Sequence, residues 1–314
     1  MLGLLFTATA CTKEDCDCEV QTPSDLVSPA LAVRMFESFG QKPFTGVLEV
    51  YPCEDQSSLY YGNYVNGSLS PFSGFYMVKD GGITSGTSRS VQLPVGDYNM
   101  VYWGTPKYDY PIYSSPAITH PGFTLGGDLS ELYFGLRKNV SDTTYMPTYD
   151  LVHAVTEAHV GEEDLHTSLT RVGAGLNLTV RKKEQDASFS ENVVAIKAQI
   201  GGIAERLNAY TGEPVNMTKT VQFDLTRSED NMSMSCPTVM LFPSSPFPVL
   251  KLIIYLKDGS VHEVKQVLNT TLSPNTLLTL NVTIGKILVG EDSGSFEIDE
   301  WDEKSEEIEF PDVI

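Results

Sequence analysis

Few side chains in this sequence are able to do chemistry, and the spacing of most of them argues against it. Five histidines and five cysteines are spread over 314 residues. His153, His159 and His166 stand six and seven residues apart, which fits neither the i, i+4 pair of a zinc-binding helix nor a structural zinc run. Cys16-Asp17-Cys18 is a C-x-C pair with no second pair near it, so a zinc cluster is not indicated. Cys53 and Cys236 sit in no nucleophile signature, and neither G-x-S-x-G nor a phosphate-binding glycine loop occurs. The glycine pairs Gly81-Gly82 and Gly201-Gly202 read as turn chemistry. Paired carboxylates crowd only the C-terminal end, where nothing places them around a pocket. No catalytic residue, metal ligand or cofactor is expected, and the chain reads as a non-enzyme.

One thiol has a context that prescribes a modification. Leu2, Leu4, Leu5 and Phe6 form an apolar run, well short of the roughly 20 residues that span a bilayer. Small residues follow, Ala8-Thr9-Ala10, and then Cys11. A peptidase needs small side chains before its cut, and a thiol just after it can carry a lipid, so MLGLLFTATAC resembles the lipobox of a bacterial lipoprotein signal peptide. The competing reading is a buried N-terminal strand with a chance cysteine. No Lys or Arg precedes Lys13, and Ala8 stands where a leucine is usual, which points to a true start upstream of Met1. Residues 12–29 are polar, acidic and interrupted by Pro23 and Pro29, as in a flexible tether. With Cys11 so used, Cys16, Cys18, Cys53 and Cys236 remain. Their spacing assigns no disulfide.

The formal charge is −20, and residues 290–314 hold 11 Asp or Glu against the single Lys304. Such a surface repels phosphate backbones and excludes a nucleic-acid partner. The acidic end reads first as a solvated tail.

The elements that carry these residues are strands. Apolar residues recur with period two in 44–51, 98–103, 194–200, 250–256 and 278–284, the pattern of half-buried strands. The clearest case is 172–181, where Val172, Ala174, Leu176, Leu178 and Val180 alternate with Gly173, Gly175, Asn177, Thr179 and Arg181. Residues 105–127, rich in Pro, Tyr and Gly, read as a long loop over the first half, and 151–165 as strand and loop or as a short amphipathic helix with Val152, Val155 and His159 on one face. Long helices are not indicated. At about 150 residues per domain, the layout is a signal peptide at 1–11, a tether at 12–29, a first β-sandwich at 30–165 and a second at 166–314 with an acidic closing strand or tail. Aromatics cluster in the first half: Tyr60, Tyr61, Tyr64, Phe72, Phe75 and Tyr76, then Trp103, Tyr108, Tyr110 and Tyr113. They read either as core and loop packing or as a stacking platform for sugars, the second making the chain a glycan-binding lipoprotein of a polysaccharide-uptake system.

Several stretches together resemble one family. The lipobox-like start, the acidic tether and the LPVGDY turn are similar to those of fimbrillin-type lipoproteins of Bacteroidales. DLVHAVTEAHV followed by SLTRVGAGLNLTVRKK resembles the passage between their two sandwiches, PNTLLTLNVTIG a late core strand, and SFEIDEWDEKSEEIEF the closing strand. The resemblance implies an all-β protein of two tandem transthyretin-like antiparallel β-sandwiches. It also implies export as an outer-membrane, lipid-anchored surface protein and a role as a fimbrial anchor or accessory subunit supporting adhesion. Its partners would be other fimbrial subunits, the membrane through the lipid on Cys11, and ligands on host or bacterial surfaces. Assembly in the family proceeds by strand exchange, and in stalk subunits an arginine protease removes the first strand. Arg34 and Arg171 are the nearest candidates for such a cut, neither in a distinctive context, and Arg34 reads first as part of an ordinary strand. Phe296, Ile298, Trp301, Ile308 and Phe310, spaced among acids, read as the protein's own last strand or as a donor strand offered to a neighbour.

Overall fold

The computed structural model describes residues 26–284 except 38–39, 72–73, 85–89, 108–110 and 183–187. Cys11, Cys16, Cys18, Phe72, Tyr108, Tyr110 and the acidic C-terminal residues Phe296, Ile298, Trp301, Ile308 and Phe310 lie outside the described residues. Twenty-two strands run in chain order: β1 (Leu26–Val27), β2 (Leu31–Glu37), β3 (Gly40–Pro43), β4 (Gly46–Glu54), β5 (Asn63–Val65), β6 (Ser68–Ser70), β7 (Gly74–Lys79), β8 (Gly82–Ile83), β9 (Leu93–Pro94), β10 (Gly96–Pro106), β11 (Ile118–Thr119), β12 (Tyr133–Leu136), β13 (Val152–Val160), β14 (Leu165–Arg171), β15 (Ala174–Lys182), β16 (Val193–Asn208), β17 (Pro214–Arg227), β18 (Ser233–Ser235), β19 (Val239–Leu241), β20 (Val249–Leu256), β21 (Val261–Val267) and β22 (Leu277–Ile284). A 3₁₀ turn lies at Leu129–Glu131, and no α-helix occurs among the described residues. The protein is all-β, as its alternating pattern requires.

Eight strands form the first sheet, in the order β3-β2-β14-β13-β10-β4-β7-β8. β13 and β14 pair only at Val152–Arg171 and His153–Thr170, so the sheet turns there and curls around a core. Leu31, Val33 and Met35 of β2 meet Leu48 and Val50 of β4 and Met100 and Tyr102 of β10 inside it. The Asp80-Gly81 turn, both residues at positive φ, suits a tight hairpin and closes the curl. There the Val33 N–H donates to the Gly81 carbonyl at 2.8 Å and the Gly81 N–H to the Phe44 carbonyl at 2.8 Å. Residue 166 lies inside β14, whose neighbours are β13 and β2. The first sheet therefore runs on to Arg171, and the chain changes sheets at 172–173.

The second assembly has ten strands joined in one hydrogen-bonded network. β15 pairs with β22 in parallel and with β18 and β19 antiparallel. β16 pairs with β17 and β20, and β18 links the two layers through β17. Leu176, Leu178 and Val180 face Ile196, Ala198 and Ile200 across this second core, with Leu252, Ile254, Leu278 and Leu280. Gly201-Gly202 is not a turn. It lies within β16 at a register shift between Ile200 and Ile203, with Gly202 at φ +80°. Such a bulge bends a strand, and beyond it β16 leaves β20 and pairs with β12.

Residues 105–127 do more than cover the first half. Ile112 bridges to Thr238, and β11 pairs with β12, which pairs with β16. The segment thus carries the second core onto the outer face of the first sheet. β4 and β10 are buried on both faces in consequence: Tyr51, Cys53, Val101 and Trp103 belong to the second core and their alternating neighbours to the first.

Candidate functional site

The joint between the two cores is a polar lock on an apolar floor. The β16–β17 turn is shaped by Asn208, whose Oδ1 accepts from the Tyr210 and Thr211 N–H groups at 3.0 and 2.9 Å. Gly212 stands at φ +74°, and a Cβ there would come within 2.9 Å of His153 Nδ1, so the tip needs glycine. The tip docks on the outer face of the first sheet. Trp103 Nε1 donates to the Ala209 carbonyl at 2.8 Å, His153 Nε2 to the Tyr210 carbonyl at 3.0 Å, and Asn99 Nδ2 to the Tyr210 hydroxyl at 3.1 Å.

Burial holds the His153 imidazole neutral, lowering its pKa to about 4 against the partial opposition of the Tyr210 hydrogen bond. A folded pKa below the unfolded one means that the unfolded chain takes up the proton first, so this term costs stability as pH falls from about 6.5 to 4. Asp150 works the other way over part of that range, since burial raises its carboxyl to about 6 against the pull of Arg171. Wild type should therefore show a shallow acid limb. His153→Gln, which keeps a donor, should lose the histidine term. The stability difference between wild type and variant should change by about 3 kcal/mol between pH 6.5 and 4, read from urea unfolding at each pH; parallel curves would refute the assignment.

Beside the joint, a cleft of about 670 Å³ opens between the outer face of β4, β7 and β10 and the segment that crosses over them. Glu49 lies at its centre, directly opposite Trp103 on one side and Phe75 on the other. The Tyr51 hydroxyl donates to the Glu49 carboxylate, and burial raises the carboxyl pKa despite that bond and the nearby His120. Phe75 is 55% exposed and Tyr149 41%, whereas Trp103 is 2% exposed.

Among the described residues, the aromatics named from the sequence do not make one platform. Tyr60, Tyr64, Tyr76 and Trp103 are buried, with Tyr51, Tyr60 and Phe123 packed ring on ring. Of those aromatics that lie among the described residues, Phe75 offers a largely open ring to the cleft, beside Tyr149. Glu49 was legible in the sequence only as an exception, an acid in an otherwise apolar alternation.

Arg34 lies in the middle of β2 with its side chain exposed, its backbone held between Pro43 of β3 and Ser168 of β14. A protease would meet it only after these pairings open. Arg171 is 4% exposed and ion-paired with Asp150 at 2.8 Å, which withholds it from a protease altogether. Cys53 and Cys236 are free thiols, pushed by burial up to about 12 and about 11, and so are poor nucleophiles. His159 is exposed and bound to Asp97 at 2.7 Å, apart from the buried His153. Among the described residues no three His, Cys, Asp or Glu side chains converge on a metal site.

The sheets end in edge strands. Among the described residues β22 pairs only with β15, β21 only with β20, and β3 only with β2. The described strands thus form a β-sandwich protein with open sheet edges and, apart from them, a cleft on the outer face of β4, β7 and β10.

The chain belongs to the family of fimbrillin-A associated anchor proteins Mfa1 and Mfa2, whose model matches residues 27–307. That is a family of fimbrial structural proteins rather than of enzymes. A candidate adhesin from Bacteroides ovatus superposes with a TM-score of 0.52 at 12% identity, over 87% of this chain and 95% of that one, a likeness of fold. The fimbrial anchor protein Mfa2 from Porphyromonas gingivalis is 14% identical, with a TM-score of 0.42 over 76% and 82% of the two chains. A candidate polysaccharide-binding protein from Bacteroides thetaiotaomicron is 14% identical, with a TM-score of 0.47 over 74% and 78%. No curated protein matches.

Proposed function

We propose that this protein is a fimbrial anchor or accessory subunit at the cell surface, held to the outer membrane by a lipid on Cys11 and joined to its neighbours by β-strand addition. Family membership supports the fimbrial role. The observation that carries the assembly mode is β22. Among the described residues it is an edge strand, with Leu278, Leu280, Val282 and Ile284 turned into the core, and residues 285–314 follow it. An edge strand offers a row of backbone donors and acceptors, while alternate side chains of an added strand select their pockets. In this reading the segment with Phe296, Ile298, Trp301, Ile308 and Phe310 completes the sheet of the isolated subunit and is exchanged for a neighbour's strand in the fimbrium. Arg34 needs no cut, because an anchor keeps its lipid and receives a strand. Adhesion follows from holding the filament on the cell.

Immunogold electron microscopy of three strains tests this. Wild type should show labelled filament bases on the cell. Cys11→Ala should shed labelled filaments into the medium. Truncation after Ile284 should give a less stable subunit that labels no filament. Filaments retained by Cys11→Ala would overturn the lipid anchor, and normal incorporation of the truncated chain would overturn strand exchange.

A further inference from the structure

Glu49 is a carboxylate placed where a sheet would ordinarily carry an apolar residue. On the outer face of β4 its register partners are Trp103 and Phe75, and Tyr51 follows two residues along. The cleft around it is also lined by Val47, Phe134, Tyr149 and Leu151. A carboxylate in such surroundings loses hydration, and a structural one is normally repaid by a cation held against it. Among the described residues no Lys or Arg lines the cleft or pairs with Glu49, and the basic side chain near it is His120. Its hydrogen bond comes from the neutral Tyr51 hydroxyl, leaving most of its acceptor positions open. His120 stands at the rim, exposed, with its ring edge-on to Phe134.

We propose that this cleft is a binding site for an organic cation on an apolar stem, the Lys or Arg side chain of an extended polypeptide. The charged head would meet the Glu49 carboxylate beside the open ring of Phe75, and the stem and flanking residues would cover Val47 and Tyr149. Three features select this chemistry together. The carboxylate supplies the opposite charge in a partly dehydrated place, where an ion pair is stronger than in open water. The aromatic walls favour a cation over a neutral guest. The volume is that of a site for a ligand of several hundred daltons, larger than one side chain and suited to a side chain with its neighbours. The formal charge of −20 adds long-range attraction for a basic segment. The site is separate from the edge of β22 and does not rest on strand exchange.

The full chain should be titrated by NMR or calorimetry with hexylammonium and its neutral counterpart hexanol. A second pair of probes is the peptide acetyl-Ala-Lys-Ala-amide and the same peptide with the lysine acetylated. Hexylammonium and the lysine peptide are expected to bind saturably, the peptide more tightly, and the neutral members at least about tenfold more weakly. Glu49→Gln, close in shape, should abolish the preference for the cation. Phe75→Ala, at an exposed position that leaves the core intact, should weaken both cations several-fold. A peptide no tighter than hexylammonium would refer the site to free amines and overturn the polypeptide assignment. Equal binding of charged and neutral probes, cation binding that survives Glu49→Gln, or no saturable binding at millimolar concentrations would overturn the site itself. Saturable binding of a neutral oligosaccharide that Glu49→Gln leaves unchanged would overturn it in favour of a glycan site.

Discussion

Replacing Trp103 by alanine is expected to cost about 4 kcal/mol of stability, at the upper end of large-to-small core substitutions. Its ring packs at 4.4 Å from Phe134 and 4.6 Å from His153, measured between centroids, and its indole N–H satisfies the Ala209 carbonyl. The substitution opens a cavity and leaves that buried carbonyl without its donor, and both terms have the same sign. The effect should also be visible in cooperativity. Trp103 stands on a strand shared by both cores and holds the β16–β17 tip of the second against the sheet of the first. Unfolding followed by circular dichroism and by tyrosine fluorescence should coincide in wild type and separate in Trp103→Ala. Coincident transitions with a loss below about 1 kcal/mol would show that the joint contributes little. Phe75→Ala, at the open end of the same face, should stay within about 0.5 kcal/mol of wild type.

The second large effect belongs to Arg171. Its Nε donates to Asp150 Oδ2 at 2.8 Å, and Glu37 lies 3.8 Å from its Nη1. The pair sits where β13 and β14 cross and the first sheet turns. Arg171→Met should cost about 3–5 kcal/mol at pH 7.5, because it leaves the Asp150 carboxylate buried and unpaired. Asp150 already titrates at about 6 with the guanidinium in place, and without it the folded pKa rises further. A raised folded pKa means that the penalty is full above it and fades as pH falls through it, so the loss should be clearly smaller at pH 5 than at pH 7.5. The double variant Asp150→Leu/Arg171→Met should recover most of the stability, since removing both charges also removes the dehydration cost. A loss independent of pH, or a double variant worse than the single one, would refute the ion-pair account. Both experiments need only purified protein and urea.

Much of the architecture was legible in the sequence. The alternation in 172–181 and 278–284 predicted strands with one buried face, and those residues form β15 and β22, paired in parallel over eight positions. The turn at Gly81-Gly82 could be placed because it needs a backbone conformation that few residues adopt, Gly81 standing at φ +87°. The family resemblance rested on such local strings and led to the family whose model the chain matches. Gly201-Gly202 misled, because a glycine pair is as suited to a bulge inside a strand as to a turn between strands, and only the pairing of β16 with three neighbours distinguishes them.

The sequence by itself determined the elements, the class of fold and the shortage of catalytic groups, since strand periodicity and motif spacing are properties of short stretches. It did not show that 98–103, read as a half-buried strand, is covered on both faces, although Val101 and Trp103 are as apolar as Met100 and Tyr102. The tertiary structure decided that the covers are two different cores. It set Glu49 between Trp103 and Phe75, residues 54 and 26 positions away in the chain. It also brought the Ala209 and Tyr210 carbonyls onto Trp103 and His153. Such neighbours depend on strand register and on where a bulge bends a strand, both set by the burial of all the strands at once.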